Sequence, residues 1–119
     1  MICHVTVMTE NMQDTIDFYQ WLLDLPIARR FPIGNGGEIV FFGEPDETKF
    51  EVIYQPEAKA KTTAGVTIGF AVDSLQDKLD LLDSRNIPHS PVIAPNPHAS
   101  FSVFTDLNGV TIQLFEEHK

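Results

Sequence analysis

Residues 11–17 read Asn-Met-Gln-Asp-Thr-Ile-Asp, and residues 74–80 read Ser-Leu-Gln-Asp-Lys-Leu-Asp. The second stretch repeats the first 63 positions later, with three of the seven residues identical. Each copy opens on a small polar residue with an Asp three positions on, the pattern of a helix N-terminus whose cap side chain and first turn satisfy one another. Apolar residues then recur at helical spacing: Met12, Ile16, Tyr19 and Leu23 in the first copy, Leu75, Leu79 and Leu82 in the second. Prolines follow each run, in Leu25-Pro26 and Ile87-Pro88.

Working outward, each helix is preceded by a short apolar strand, residues 2–8 and 66–72. Three extended segments follow each helix: 28–31, 38–43 and 50–54 in the first copy, 90–93, 101–105 and 110–116 in the second. Turn signals separate them, among them Gly34-Asn35-Gly36-Gly37, Pro45-Asp46 and Leu107-Asn108-Gly109. The order is β-α-β-β-β, twice. The sequence therefore predicts one α+β domain of two tandem modules, residues 1–57 and 65–119, joined by a polar linker at 58–64. Modules of this size bury little alone. The expectation is a single cupped, mostly antiparallel eight-stranded sheet with both helices outside, its concave face offering room for a small molecule.

Composition narrows the partners. The chain has 119 residues, 43% of them hydrophobic and 21% charged, an ordinary globular balance. Eight Lys and Arg against seventeen Asp and Glu give a net charge of −9. Such a chain repels phosphate backbones and anionic lipid heads, so no nucleic acid and no membrane partner is expected, while cationic ligands are attracted. No apolar run reaches the length of a membrane span, and the opening MICHVTVMTE lacks the basic-then-apolar pattern of a secretory leader. The single Cys3 offers no internal disulfide, which suits a reducing cytoplasm.

Strand side chains alternate faces. Cys3, Val5 and Val7 form a packing set in the first strand, which turns His4, Thr6 and Met8 to the other face. In 50–54, Phe50, Val52 and Tyr54 pack, and Glu51 and Ile53 face away. In the second module Val66, Ile68, Phe70 and Val72 pack, with Thr67, Gly69 and Ala71 opposite; Ile112 and Leu114 pack, with Gln113 and Phe115 opposite. The repeat places His4 over Thr67, and Glu51 over Gln113 after a one-residue slip. Four polar residues on otherwise apolar strands are costly unless partnered, so their shared facing is the most specific chemical signal in the chain.

At these residues the chain resembles the vicinal oxygen chelate superfamily, which includes glyoxalase I, bleomycin-resistance proteins, fosfomycin-resistance enzymes and extradiol dioxygenases. The marks are His4-Val5-Thr6-Val7, Thr15-Ile16-Asp17-Phe18-Tyr19 leading to Leu22-Leu23-Asp24-Leu25, Phe50-Glu51-Val52, Gly69-Phe70-Ala71-Val72-Asp73, and the ending from Thr105 to Glu116, with Leu107 where proline is usual. Glyoxalase-like members hold a metal with one residue from each of four strands. The resemblance puts His4 and Glu51 in the first two of these positions, Thr67 where His is usual and Gln113 where Glu is usual. A divalent Zn, Ni, Mn or Fe ion would then have His4, Glu51 and Gln113 as ligands, of which Gln113 is a weak one. Without a metal, Glu51 would find its partner in His4.

Two functions follow from the resemblance. The leading one is a small-molecule-binding protein with an incomplete metal site, sequestering a drug or metabolite, contacted by His4, Thr6, Glu51, Ile53, Thr67, Gln113, Phe115 and His98. The alternative is a divalent-metal-dependent lyase or dioxygenase. A homodimer is implied by the family. Arg29 and Arg30 open an extended segment from which one of them could grip a carboxylate. His98 sits in a loop before a strand, at the rim of the site that the resemblance implies. Gly34–Gly37 reads as a hairpin rather than a phosphate loop, and Cys3 as a packing residue beneath the helix.

Overall fold

A computed structural model describes residues 1–57 and 65–118, so the expected linker at 58–64 lies outside the described residues. The chain divides into two compact units, Met1–Lys61 and Thr62–Lys119. The first unit runs β1 (His4–Thr9), α1 (Met12–Leu23), β2 (Ile27–Ile33), β3 (Gly37–Phe42) and β4 (Lys49–Tyr54). The second runs β5 (Thr67–Ala71), α2 (Leu75–Ser84), β6 (Ile93–Asn96), β7 (Ala99–Thr105) and β8 (Thr111–Glu117). The sheets have the orders β1-β4-β3-β2 and β5-β8-β7-β6. In each, the first strand pairs parallel to the fourth and the other pairings are antiparallel.

The repeated heptapeptide does in both units what its spacing predicts. Asn11 and Ser74 are extended residues whose side chains accept hydrogen bonds from the backbone N–H groups of Asp14 (3.0 Å) and Asp77 (3.2 Å). One turn further on, Gln13 donates to Asp17 and Gln76 donates to Asp80, each at 2.8 Å. The first helix stops at Asp24, whose left-handed backbone (φ 50°) precedes Leu25-Pro26.

The apolar faces close on the sheets. In the first unit Tyr19 is fully buried between Phe42 and Phe50, its ring centroid 6.3 and 5.0 Å from theirs, with Met12, Ile16, Leu22, Val40 and Val52 around it. In the second unit Leu75, Leu79 and Leu82 are buried with Phe104, Ile112 and Leu114, α2 lying against β7 and β8.

Three expectations need correction. The ladders form two four-stranded sheets, not one of eight, because in each unit the parallel closure of the first strand onto the fourth completes a sheet of its own. Cys3 is exposed rather than packed: β1 starts at His4, so Cys3 precedes the ladder, its Sγ 3.3 Å from His4 Nδ1. The strand expected at 90–93 begins only at Ile93. Pro91 has no N–H to give a ladder, and Ser90 is bound to β7 by backbone and side chain together, its N–H donating to the Val103 carbonyl at 2.9 Å. Its hydroxyl accepts from Val103 N–H at 3.0 Å, and its carbonyl accepts from the Ser102 hydroxyl at 2.7 Å.

The turn between β7 and β8 is organised by Asp106, a buried carboxylate 6% exposed. Its Oδ1 accepts from the N–H groups of Asn108 (2.8 Å) and Val110 (2.9 Å), while Gly109 supplies the positive φ of 79° that the turn needs. Removing this anchor leaves two N–H groups without their charged acceptor. Asp106→Ala is expected to lower the free energy of unfolding by about 2 kcal/mol, read as a shift of the urea midpoint at unchanged slope.

His89 ties the end of α2 to the following segment. Its Nδ1 lies 2.8 Å from the Ser90 carbonyl and its Nε2 2.7 Å from Asp83 Oδ1. An imidazole with an acceptor at each nitrogen needs two protons to satisfy both. Its pKa is accordingly raised, first by the Ser90 carbonyl and then, against the opposing effect of burial, by Asp83. The raised value means that the folded state holds the proton more tightly than the unfolded chain. This stabilisation is complete below the ordinary value of about 6.5 and is lost as pH rises through the folded pKa. His89→Gln should flatten that part of the stability–pH curve, and the His89 ring resonances of the native protein should titrate above the ordinary value.

Candidate functional site

The face of the first sheet turned away from α1 carries its chemistry in register. Thr6 pairs with Glu51, Glu51 with Phe41, and Phe41 with Arg29, so one row crosses β1, β4, β3 and β2. Beside it runs a second row of Met8, Ile53, Ile39 and Phe31, all apolar.

Glu51 is the centre of the first row. Its residue is only 7% exposed, an unusual burial for a carboxylate. The Thr6 hydroxyl donates to its Oε1, and His4 Nε2 lies 3.6 Å from the same oxygen. The His4 ring stands edge-on to Phe41 at 5.7 Å, so the aromatic side chain shields one side of the carboxylate's neighbourhood. Among the described residues no Lys or Arg makes an ion pair with Glu51. Lys49, two residues earlier on the same strand, has its ammonium on the carbonyls of Glu44, Pro45 and Glu47. The arrangement supplies a desolvated acceptor, a hydroxyl and an imidazole beside an apolar strip, a combination suited to a cationic or N–H-bearing ligand.

The second unit has a weaker version. Gly69 pairs with Gln113, and Gln113 with Val103. Gln113 Oε1 lies so close over Gly69 that a Cβ there would meet it at 3.2 Å. Where the first unit has a hydroxyl bonded to a carboxylate, the second has a carboxamide resting on a glycine. Thr67 is exposed and pairs with Thr111; Phe115 is half-buried between Ala71 and Phe101. His98 is exposed in the tight turn joining β6 to β7, where its backbone N–H is held by Asn96 and its carbonyl accepts from His118 N–H at 2.7 Å. Of the residues expected at the site, the structure thus brings His4, Thr6 and Glu51 into contact within the first unit, with Ile53 in the adjacent row.

Phe41 and Arg29 complete the row; Arg29 is one of the two arginines considered for gripping a carboxylate, whereas Phe41 was not among the expected contacts. Phe41 alternates with the buried Val40 and Phe42, so strand parity alone assigns its face; its sheer hydrophobicity disguises it as core. Gly34–Gly36 forms a single 3-10 turn with Asn35 at φ 64°, beside a cavity of about 270 Å3 lined by Gly34, Asn35, Gln55, Pro56 and Glu57. Ser100, His118 and Glu116 make a chain, with Ser100 Oγ 2.9 Å from His118 Nε2 and Glu116 Oε2 3.0 Å from His118 Nδ1. Its hydroxyl end is the buried one, and Glu116 also accepts from the Leu75 N–H at the start of α2, so it serves to fasten β8 to the helix.

A metal is a separate question of fit. His4 and Glu51 are good divalent ligands, and 3.6 Å is a separation that two ligands of one ion have. The set stops there: among the described residues no group of three or more His, Cys, Asp or Glu is gathered where it could hold an ion. Thr67 and Gln113 are neutral oxygen donors that cannot supply the missing imidazole and carboxylate. The residues present do not fit a resident divalent ion.

Comparison with known proteins agrees with the fold. A family model described as the Glyoxalase/Bleomycin resistance protein/Dioxygenase superfamily matches residues 1–114. No curated protein matches the sequence. Among solved structures, glyoxalase I of Leishmania major superposes with a TM-score of 0.82 at 18% identity, covering 98% of this chain and 86% of that one. The antibiotic-binding protein TnmS3 of Streptomyces sp. CB03234 gives 0.73 at 13% identity, over 98% and 95%. The fosfomycin resistance protein FosX of Listeria monocytogenes gives 0.74 at 12% identity, over 98% and 92%. Identities this low carry the fold and leave the chemistry to this chain's own residues. The chain belongs to the glyoxalase/bleomycin resistance protein/dioxygenase superfamily.

Proposed function

From that membership we propose that the chain is a small-molecule-binding protein of the bleomycin-resistance kind, which sequesters a drug or metabolite carrying a cationic or N–H donor group. The observation that carries this function is Glu51, a carboxylate almost withdrawn from water, bonded by a hydroxyl, with an imidazole 3.6 Å away and no Lys or Arg ion pair among the described residues. Such a group is costly until a donor reaches it, and a ligand that supplies one recovers that cost. Glu51 and His4 accept or orient the ligand's polar group, Thr6 fixes the carboxylate, and Ile53 is apolar wall. In the second unit the same function assigns ligand contact to Thr67, Gln113, Phe115 and His98. The antibiotic-binding protein of the same fold supports small-molecule binding as a use for it. The net charge of −9 favours cations at long range. Two copies of the chain belong to the same proposal, since β2 and β6 each leave one side of a ladder unpaired; a monomer mass in sedimentation would retire that part.

The test pairs a cation with a metal. Benzylamine, titrated calorimetrically into chelator-stripped protein, should bind, and Glu51→Gln should weaken it by about tenfold or more, the loss of one charge-assisted hydrogen bond. Zn, Ni, Mn and Fe(II) titrated into wild type and His4→Ala should give no stoichiometric site. Tight metal binding abolished by His4→Ala would instead make the chain a divalent-metal-dependent lyase or dioxygenase.

A further inference from the structure

The row that holds Glu51 ends, two strands away, in a cation. Arg29 stands on the edge strand β2 with its guanidinium carbon 4.4 Å from the centre of the Phe41 ring. Phe41 in turn meets the His4 ring, so imidazole, phenyl and guanidinium follow one another across the face. The neighbouring Arg30 points to the opposite face and is neutralised by Glu38, with Nε 2.6 Å from Oε2. Arg29 has no such partner: among the described residues no carboxylate makes an ion pair with it.

The geometry makes this guanidinium a receptor. Its place over the Phe41 ring restrains the guanidinium from one side, and its N–H groups, in the planar fork that arginine carries, are available for two parallel bonds to a carboxylate. Two inter-strand spacings of about 4.8 Å separate the Glu51 and Arg29 positions, so acceptor and cation are about 10 Å apart at the backbone. Between them the row beside, Met8, Ile53, Ile39 and Phe31, is apolar, and Phe31 exposes 37% of its surface while stacked on Phe41.

We propose that Arg29 is the anion-gripping end of the first unit's ligand face, and that the ligand is amphoteric: a flat apolar body with a carboxylate at one end and an amine at the other. The inference rests on the function proposed for Glu51 and adds the second pole. The amine goes to Glu51 and His4, the carboxylate to Arg29, and the apolar body lies along Ile53, Ile39 and Phe31. A simple cation uses only half of this face.

The experiment compares three probes, benzylamine, benzoate and para-aminomethylbenzoate, against wild type, Glu51→Gln, Arg29→Gln and Arg29→Lys. The carboxylate should tighten para-aminomethylbenzoate about tenfold over benzylamine in wild type. Arg29→Gln should erase that advantage. Arg29→Lys, which keeps the charge and loses the fork, should recover only part of it. Equal affinities of the two amines in wild type, or an Arg29→Gln loss that falls equally on both, would overturn the role of Arg29 while Glu51-dependent benzylamine binding still upheld the cation site. Binding of neither amine would overturn both. Matching thermal midpoints for the variants establish that each is folded.

Discussion

The parallel pairing of β1 with β4 is the constraint on which both the fold and the site depend. A parallel ladder needs a crossover, and α1 with the two strands after it provides one. The pairing closes each β-α-β-β-β unit into a complete four-stranded sheet. Its register also decides the chemistry, because it sets Thr6 opposite Glu51. A slip of one residue would turn Glu51 toward Tyr19 and Phe42, and the carboxylate would enter the apolar core without a donor. Burial of Val40, Phe42, Phe50 and Val52 on one face therefore holds Glu51 on the other, and the core's preference for apolar groups becomes the site's positional accuracy.

The two units show what a repeat preserves and what it releases. The three residues identical between the heptapeptides are Gln13, Asp14 and Asp17 against Gln76, Asp77 and Asp80. All lie on the first turns of the helices, where they serve the cap and a Gln-to-Asp bond one turn on. Local structure is what these identities specify. The faces away from the helices have diverged: Thr6 and Glu51 correspond to Gly69 and Gln113. A carboxylate needs its hydroxyl donor, whereas a carboxamide is neutral and can lie on a glycine at far lower desolvation cost. The charged face belongs to the first unit.

Much of this was legible in the sequence because two periodicities carry it. The 3.6-residue spacing of Met12, Ile16 and Tyr19 marked the buried side of α1, and the two-residue alternation around Glu51 marked the face it occupies. What failed was local and has local causes. Cys3 obeys the alternation but precedes the ladder, so nothing covers it. Residues 90–93 are apolar enough for a strand, but Pro91 breaks the donor series after the one backbone bond from Ser90 N–H to the Val103 carbonyl. The single eight-stranded sheet was an inference from size, and no pattern in a sequence states which strands share a ladder. Phe41 escaped for a different reason: itself buried between two buried residues, it looks like core, and the choice between Arg29 and Arg30 stayed open because the role of an arginine depends on which acid stands near it. Only the register shows that Arg30 has Glu38 and that Arg29 has no carboxylate ion pair among the described residues.

That difference between adjacent arginines bears on specificity. A face with Glu51 alone would attract any cation, and in a chain of net charge −9 long-range attraction is unselective. Selectivity requires a second feature that rewards one ligand and penalises others. A guanidinium on Phe41 does both. It gives a carboxylate two donors in fixed geometry, and it repels a second positive charge on the ligand. The distance between the poles then acts as a ruler, since a ligand must span from β4 to β2 to use both. The acidic surface gathers cations in general, while the row from Thr6 to Arg29 sets which of them can stay.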